Sequence, residues 1–366
     1  LIIDLLINKW PNITAFYTDS GILDQDILNS IIESDPSRKA YNWGLLQFFN
    51  SKFSVTIFFA LTLIFYLLIG IGYRTKLFIF LSFIALWSIH LRNVFVISGP
   101  DELLINFLFI ALFLPLDQRF SFFRAGERKT NPQFKSAATF YVLFFIGMVY
   151  FFQAFLKTGP LWESNEALSY VLMETMWIKS TAPFLHQYYE LCQFLSEATK
   201  WIEFSIIGLI FFPFINKWTR QLAALLLLGL HFFIFLFLEL GLFPFIVPMF
   251  VVLLVPTQNW DWLSQRFIKW RPKRMSISYK MFFSKAHKII GPLSTFFVVG
   301  MLLIVVWKSA LTSDKFRPLL PQPSFTEKIN HIPMFSQNWG FYAPEPSTIH
   351  GWFKVAGTKM NGDKID

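Results

Sequence analysis

Two ionisable side chains stand where a polar group is expensive. Lys157 ends the apolar run F-F-Q-A-F-L-K, the chain breaks at Gly159 and Pro160, and Trp162 follows. An amine at a helix end ordinarily snorkels, its stem along lipid and its ammonium among headgroups. An amine desolvated between helices is instead a base that works near neutral pH. Spacing alone favours the snorkelling form. His231 lies inside L-L-L-G-L-H-F-F-I-F-L, where an ionisable group is a functional candidate by default and a neutral ring bonded to a neighbouring helix is the structural alternative. Glu239 sits two turns on and reads equally as an interfacial carboxylate. A polar knot of His90, Arg92, Asn93, Asp101 and Glu102 marks another helix end. An Arg92–Asp101 ion pair is expected there, because pairing lowers the cost of holding charges near lipid.

Other chemistries lack local support. The sequence contains no H-E-x-x-H, no Cys/His metal spacing, no P-loop and no G-x-S-x-G, and no metal is expected. The single cysteine, Cys192, excludes an intrachain disulfide and a cysteine cluster. A net charge of +9 invites a nucleic-acid reading. The positive residues fall in short loops between apolar runs, however, which is the positive-inside pattern and not a binding face.

The elements that carry these residues belong in lipid. Hydrophobic residues make up 54% of the 366 and charged ones 15%, with 47 Phe and 13 Trp; a soluble domain carries about 25% charged residues. Apolar runs at 1–8, 53–73, 77–89, 103–116, 137–156, 201–214, the two halves of 222–255 and 289–307 predict an all-α integral membrane protein. About nine transmembrane helices result, the 222–255 run being too long for one span and divided at Glu239-Leu240-Gly241. Pro11 is expected to stop the first of them. No Met opens the chain, and Leu1 stands inside an apolar run, so some residues are expected to precede it. Amphipathic interfacial helices are expected at 162–178 and 185–195, a short one at 43–49, and a basic, aromatic one on an anionic leaflet within 258–288.

Loop charge orders these spans. Residues 74–76 carry +2, 117–135 +3, Lys217 with Arg220 +2 and 258–288 +7, whereas 9–52 carry −1 and 157–200 −2. The alternation sets the N-terminus in the cytoplasm and the tail outside, in a multi-pass protein of the cell's inner (cytoplasmic) membrane. The division is a membrane domain over 1–307 and an outer-side (periplasmic or extracellular) tail over 308–366, whose Gly- and Pro-punctuated sequence leaves room for a β-rich fold. Lys157, Glu239 and the His90 knot then converge on one face.

Several ordered segments resemble the HTTM family, the membrane domain of the vitamin K-dependent gamma-carboxylases and of many bacterial relatives. They are F-Y-T-D-S-G-I-L, H-L-R-N followed by G-P-D-E-L-L-I-N-F-L-F-I-A-L-F-L-P-L-D, Q-A-F-L-K-T-G-P-L-W, L-H-F-F-I-F-L-F-L-E-L-G-L-F-P-F, and the tail Q-N-W-G-F-Y-A-P-E-P with G-W-F-K-V-A-G. The resemblance spans nearly the whole chain. It implies a base that deprotonates reduced vitamin K (or menaquinone), so that oxygen converts the quinol into a stronger base. That base takes a proton from the gamma-carbon of a glutamate, to which carbon dioxide adds. The family's lysine lies five residues before a Trp and its histidine ten before a Gly, as Lys157 and Trp162, and His231 and Gly241, do here. Lys157 and His231 are thus the implied catalytic pair. Arg92, Asn93, Asp101, Trp162 and Glu239 are the candidates for binding substrate or quinone. The disulfide and large lumenal domain of the animal carboxylases are absent from this sequence.

Two functions follow. The first is a quinone-linked modification of a secreted peptide or protein at the outer membrane face. The second is a non-catalytic maturation factor, or an accessory subunit held among other membrane subunits. A transporter lacks its usual sign, paired broken helices in the two halves. The bilayer is a partner in every case, and nucleic acid in none.

Overall fold

The computed structural model describes residues 1–34, 43–114, 116, 136–256, 258–260, 262, 286–323, 326, 329, 332, 335, 339–348, 357–358 and 364–365. These are almost entirely helical. The chain opens with a π-helical turn, Asp4–Lys9, a 3-10 turn, Trp10–Asn12, and α1, Ile13–Tyr17. Helices α2 (Gln25–Ser34), α3 (Lys52–Gly70), α4 (Thr75–Arg92) and α5 (Gly99–Ala111) complete the first half. In the second half, α6 (Ala137–Leu156) leads through the short α7 (Pro160–Glu163), α8 (Ala167–Val171) and α9 (Ala182–His186) into α10 (Tyr189–Phe211). Then come α11 (Asn216–Phe237), α12 (Phe243–Val251) and α13 (Ala286–Leu311). A two-residue antiparallel pair, Gly357–Thr358 with Lys364–Ile365, lies in the tail.

Among the described residues five helices are long and apolar enough to cross a membrane: Lys52–Gly70, Thr75–Arg92, Ala137–Leu156, Asn216–Phe237 and Pro292–Leu311. Of the most apolar part of each, 67% is buried within the protein for Thr75–Arg92 and 56% for Ala137–Leu156, against 22–28% for the other three. So α4 and α6 form the centre, and α3, α11 and α13 turn much of their Leu, Ile and Phe surface outward, as lipid contact requires. Three helix starts have a local cause. Ser51 and Ser136 accept the backbone N–H of Ser54 and Thr139, both at 3.2 Å, and Ser98 with Asp101 forms a capping box that opens α5.

Several expectations change. Pro11 does not stop the first helix. It enters the first turn of a new helical segment, where its missing N–H costs nothing, and the chain stays helical to Tyr17. The run at 103–116 becomes a helix of 13 residues, Gly99–Ala111, about 20 Å long and short of a hydrocarbon core of about 30 Å. The run at 201–214 is the end of a 23-residue helix, α10, that begins at Tyr189 and carries Glu190, Glu197, Lys200 and Glu203. The expected amphipathic helix at 162–178 is broken into α7 and α8, and 185–195 straddles α9 and α10. The short helix at 43–49 is a 3-10 turn, Leu45–Phe48. The division at Glu239-Leu240-Gly241 is observed: α11 ends at Phe237 and α12 begins at Phe243, with Gly241 at φ +55°, a left-handed conformation natural to glycine. Most of the basic stretch 258–288 and all of 117–135 lie outside the described residues.

The packing that matters for the site is α6 against α10. At Gly147 an added Cβ would stand 2.9 Å from Ile207 Cγ1. Only a glycine permits this approach, the usual means by which helices in lipid come close.

Candidate functional site

Lys157 caps the C-terminal end of α6, its N–H donating to Ala154 O at 3.2 Å. The helix ends there because Gly159 and Pro160 start α7, and Pro cannot continue the α6 ladder. The side chain does not snorkel. It turns inward, 4% exposed, and Nζ donates to Glu203 Oε2 at 2.5 Å while standing 4.6 Å over the Trp162 ring. The electron-rich indole face suits an ammonium. Trp162 is fixed in turn, its Nε1–H donating to Tyr342 O at 2.8 Å and its carbonyl accepting from Lys200 Nζ.

Helical spacing builds both walls. Tyr150, Gln153 and Lys157 stand at i, i+3 and i+7 on α6, one face of a helix. Ser196, Thr199 and Glu203 repeat that spacing on α10. His231 enters from α11, its Nε2 2.7 Å from Tyr150 Oη and its ring 5.3 Å from that of Phe243. Its Nδ1 is buried with no hydrogen-bond partner among the described residues. Together these side chains line a cavity of about 80 Å³, otherwise walled by Leu168, Val171, Leu230, Phe233, Ile234, Leu238, Leu240, Phe243, Phe341 and Tyr342. The arrangement is a mostly apolar chamber with an amine–carboxylate pair on one side and a phenol–imidazole pair on another. It suits proton transfer to or from an apolar molecule held out of water.

The tail supplies part of this wall. Gly159 N–H donates to Pro344 O at 2.9 Å, and a Cβ on Gly159 would meet Glu345 Cβ at 2.7 Å. Phe341 stacks on Phe243 at 4.9 Å, and Trp339 is buried with its ring 5.9 Å from that of Phe145. The segment Q-A-F-L-K-T-G-P-L-W and the tail motif W-G-F-Y-A-P-E therefore meet.

Of the predicted site residues, Lys157, His231 and Trp162 line one cavity; Arg92, Asn93, Asp101 and Glu239 do not. The expected Arg92–Asp101 pair does not form. Arg92 donates to Leu23 O at 2.8 Å and to Asp19 Oδ1 at 3.2 Å, because α4 buries its end against the loop before α2. Asn93 donates to Phe16 O at 3.1 Å. Asp101 is taken by Lys9, whose Nζ lies 2.5 Å from Asp101 Oδ1 and 2.7 Å from Asp4 Oδ2, with His90 Nε2 at 3.5 Å. Burial works against the Lys9 charge, but Asp101 and Asp4 outweigh it and hold the ammonium above the usual lysine range. Burial likewise opposes ionisation of Asp101, and His90 and Lys9 overcome it, holding the carboxyl below the usual range. Glu239 is exposed in the turn between α11 and α12, 3.9 Å from Lys179 Nζ.

Sequence reasoning missed Glu203, Tyr150 and Tyr342 as site residues. Glu203 had a signal, a carboxylate inside the apolar run W-I-E-F-S-I-I, which deserves the same functional presumption as His231. Tyr150 had helical register with Lys157. Tyr342 lines the cavity and contributes a carbonyl from far along the chain, which no local pattern encodes. No family model matches the chain, and no curated protein or solved structure matches it.

Proposed function

We propose that this chain is an HTTM-like membrane enzyme that performs a quinol-linked modification of a peptide or protein, with Lys157 as base and His231 as donor to developing oxyanion charge. The observation that supports it is convergence. Two residues singled out by separate spacings, on α6 and α11, open onto one buried chamber. The chamber's chemistry fits a quinol headgroup: flat apolar walls from Leu230, Ile234, Phe243 and Phe341, with polar groups at Lys157 and an unpartnered His231 Nδ1.

Glu203 gives the amine a way to act. Moving one proton from Lys157 Nζ to Glu203 Oε2 across 2.5 Å cancels two buried charges and leaves a neutral amine. That amine accepts the proton of a hydroxyl set against it. Trp162, pinned by Tyr342, keeps the ammonium form in register when the proton returns. The apolar walls exclude water, which preserves the strength of both exchanges. When bound, a reduced naphthoquinone supplies the hydroxyl and the reducing equivalents. In this reading the basic loops face the cytoplasm, and the cavity serves substrates at the outer face of the inner membrane. Purified protein in detergent, given reduced vitamin K and oxygen, should form quinone epoxide, and Lys157→Ala should abolish it. Absence of any quinol-dependent product from the wild type would sink the reading.

A second reading has its own support. The Lys157–Glu203 pair is closed and buried, as a structural clamp is, and the tail is tied to Gly159 by a backbone hydrogen bond. A non-catalytic maturation factor or accessory subunit needs only such clamps. Retention of biological function by a folded Lys157→Met, Glu203→Gln double variant favours this second reading over the first.

A further inference from the structure

The hydrogen bond between Tyr150 Oη and His231 Nε2 can be drawn two ways, and the two leave different groups unsatisfied. The His231 ring is buried against Phe243, with Leu230 and Ile234 lining the same chamber, and among the described residues no carboxylate hydrogen-bonds either ring nitrogen. A charged imidazolium there has nothing to compensate it, so the ring is neutral and carries one N–H. If Nε2 holds the proton and donates to Tyr150, the phenol O–H is left without an acceptor and the Nδ1 lone pair without a donor. If Tyr150 donates to Nε2, only the Nδ1–H is left over. The second arrangement strands fewer buried groups, and the phenol is the stronger acid of the two. Among the described residues Tyr150 Oη makes no other hydrogen bond that would compete for its proton.

We infer that Tyr150 is the positioning residue of this cavity. It donates to Nε2, fixes His231 as the Nδ1–H tautomer, and so leaves one buried N–H reserved for an acceptor oxygen on a bound apolar molecule. Buried polar atoms are nearly always paired, so an orphan in a cavity wall points to a ligand that pairs it. The ligand class is a carbonyl or deprotonated hydroxyl on a flat apolar frame. The carbonyl sits on the His231 side, and any second oxygen falls toward Lys157. The naming of a quinone as that molecule rests on the function proposed above; the tautomer does not.

The test is nitrogen-15 NMR of the full chain in detergent, labelled at its six histidines, with the His231→Gln spectrum assigning the signal. The wild type should show His231 neutral, with Nδ1 protonated and Nε2 bare. A protonated Nε2 in the wild type overturns the inference without any variant being needed. Tyr150→Phe should populate the Nε2–H tautomer and weaken binding of menadione, the probe, by about tenfold. An unchanged tautomer in a folded Tyr150→Phe variant overturns the positioning role, since a tyrosine that merely fills space would leave the tautomer as it was. A wild type with the expected tautomer and no menadione-induced shift at His231 supports the assignment and overturns the quinol reading instead.

Discussion

A lysine buried against a glutamate is stable as a pair and costly as a remnant. Removing either partner leaves a desolvated charge, whereas replacing both with apolar or neutral groups removes the problem with the benefit. Lys157 and Glu203 are 4% and 6% exposed. Glu203→Gln or Lys157→Met alone should therefore lower stability by about 3–5 kcal/mol. The double variant should recover most of the loss, read as melting temperature in detergent. Equal losses in the single and double variants would show that the pair does not share one proton account. At this scale the sequence was informative but incomplete. The apolar flanks of Lys157 and His231 were legible, because ionisable groups stand out against Leu and Phe. Which way the lysine turned was not, because snorkelling and burial share one sequence pattern and are separated only by a carboxylate on another helix.

Helix α6 delivers Tyr150 and Lys157 to the same chamber, and its distance from α10 decides whether Glu203 reaches. That distance is set at Gly147. Gly147→Leu should push the helices apart at Ile207, cost about 1–3 kcal/mol as overpacked sites do, and break the Lys157–Glu203 contact; accelerated amine modification at Lys157, measured by mass spectrometry, would report it. Unchanged labelling in a folded variant would mean that the contact is held by the helix ends alone. The N-terminal segment answers to a different cluster. Because the Asp101 carboxyl is held below its usual range, its contribution is present above about pH 4 and lost as pH falls below it. Residues 1–17 should become pepsin-sensitive in that acid range. Asp101→Asn should open trypsin cleavage after Lys9 at neutral pH, since the ammonium loses its nearer carboxylate. Element boundaries were readable where caps and breakers decide them, at Ser51, Ser136 and Gly241. They were misread at Pro11 and across 201–214. There the deciding facts are a proline in a tolerated first-turn position and a helix whose charges are exposed, at Glu190 and Glu197, or paired with neighbouring segments, at Lys200 and Glu203.

The whole molecule brings the middle and last thirds of the chain to one chamber. Trp339 is buried against α6, and Phe341 and Tyr342 finish the wall. Trp339→Ala should cost about 3–5 kcal/mol, as large aromatic truncations in packed sites do, and should loosen residues 339–345 in hydrogen exchange before the helices melt. Simultaneous loss of helix protection would instead make the tail part of one cooperative unit. The all-helical membrane class followed from composition alone. The tail's return did not, since its polar, proline-punctuated sequence reads as a separate appendage until Gly159 is seen donating to Pro344.

That hydrogen bond also sets an order of events during synthesis. Chains emerge from the amino end, so α6, α10 and α11 are made before residues 339–345 exist. Through this interval Gly159 has no Pro344 to bond, and Trp162 has no carbonyl to hold it. The chamber is therefore finished last, by the segment that leaves the ribosome after the final helix. A nascent chain in the membrane carries its amine and imidazole behind an unsealed wall until residues 339–345 have been made.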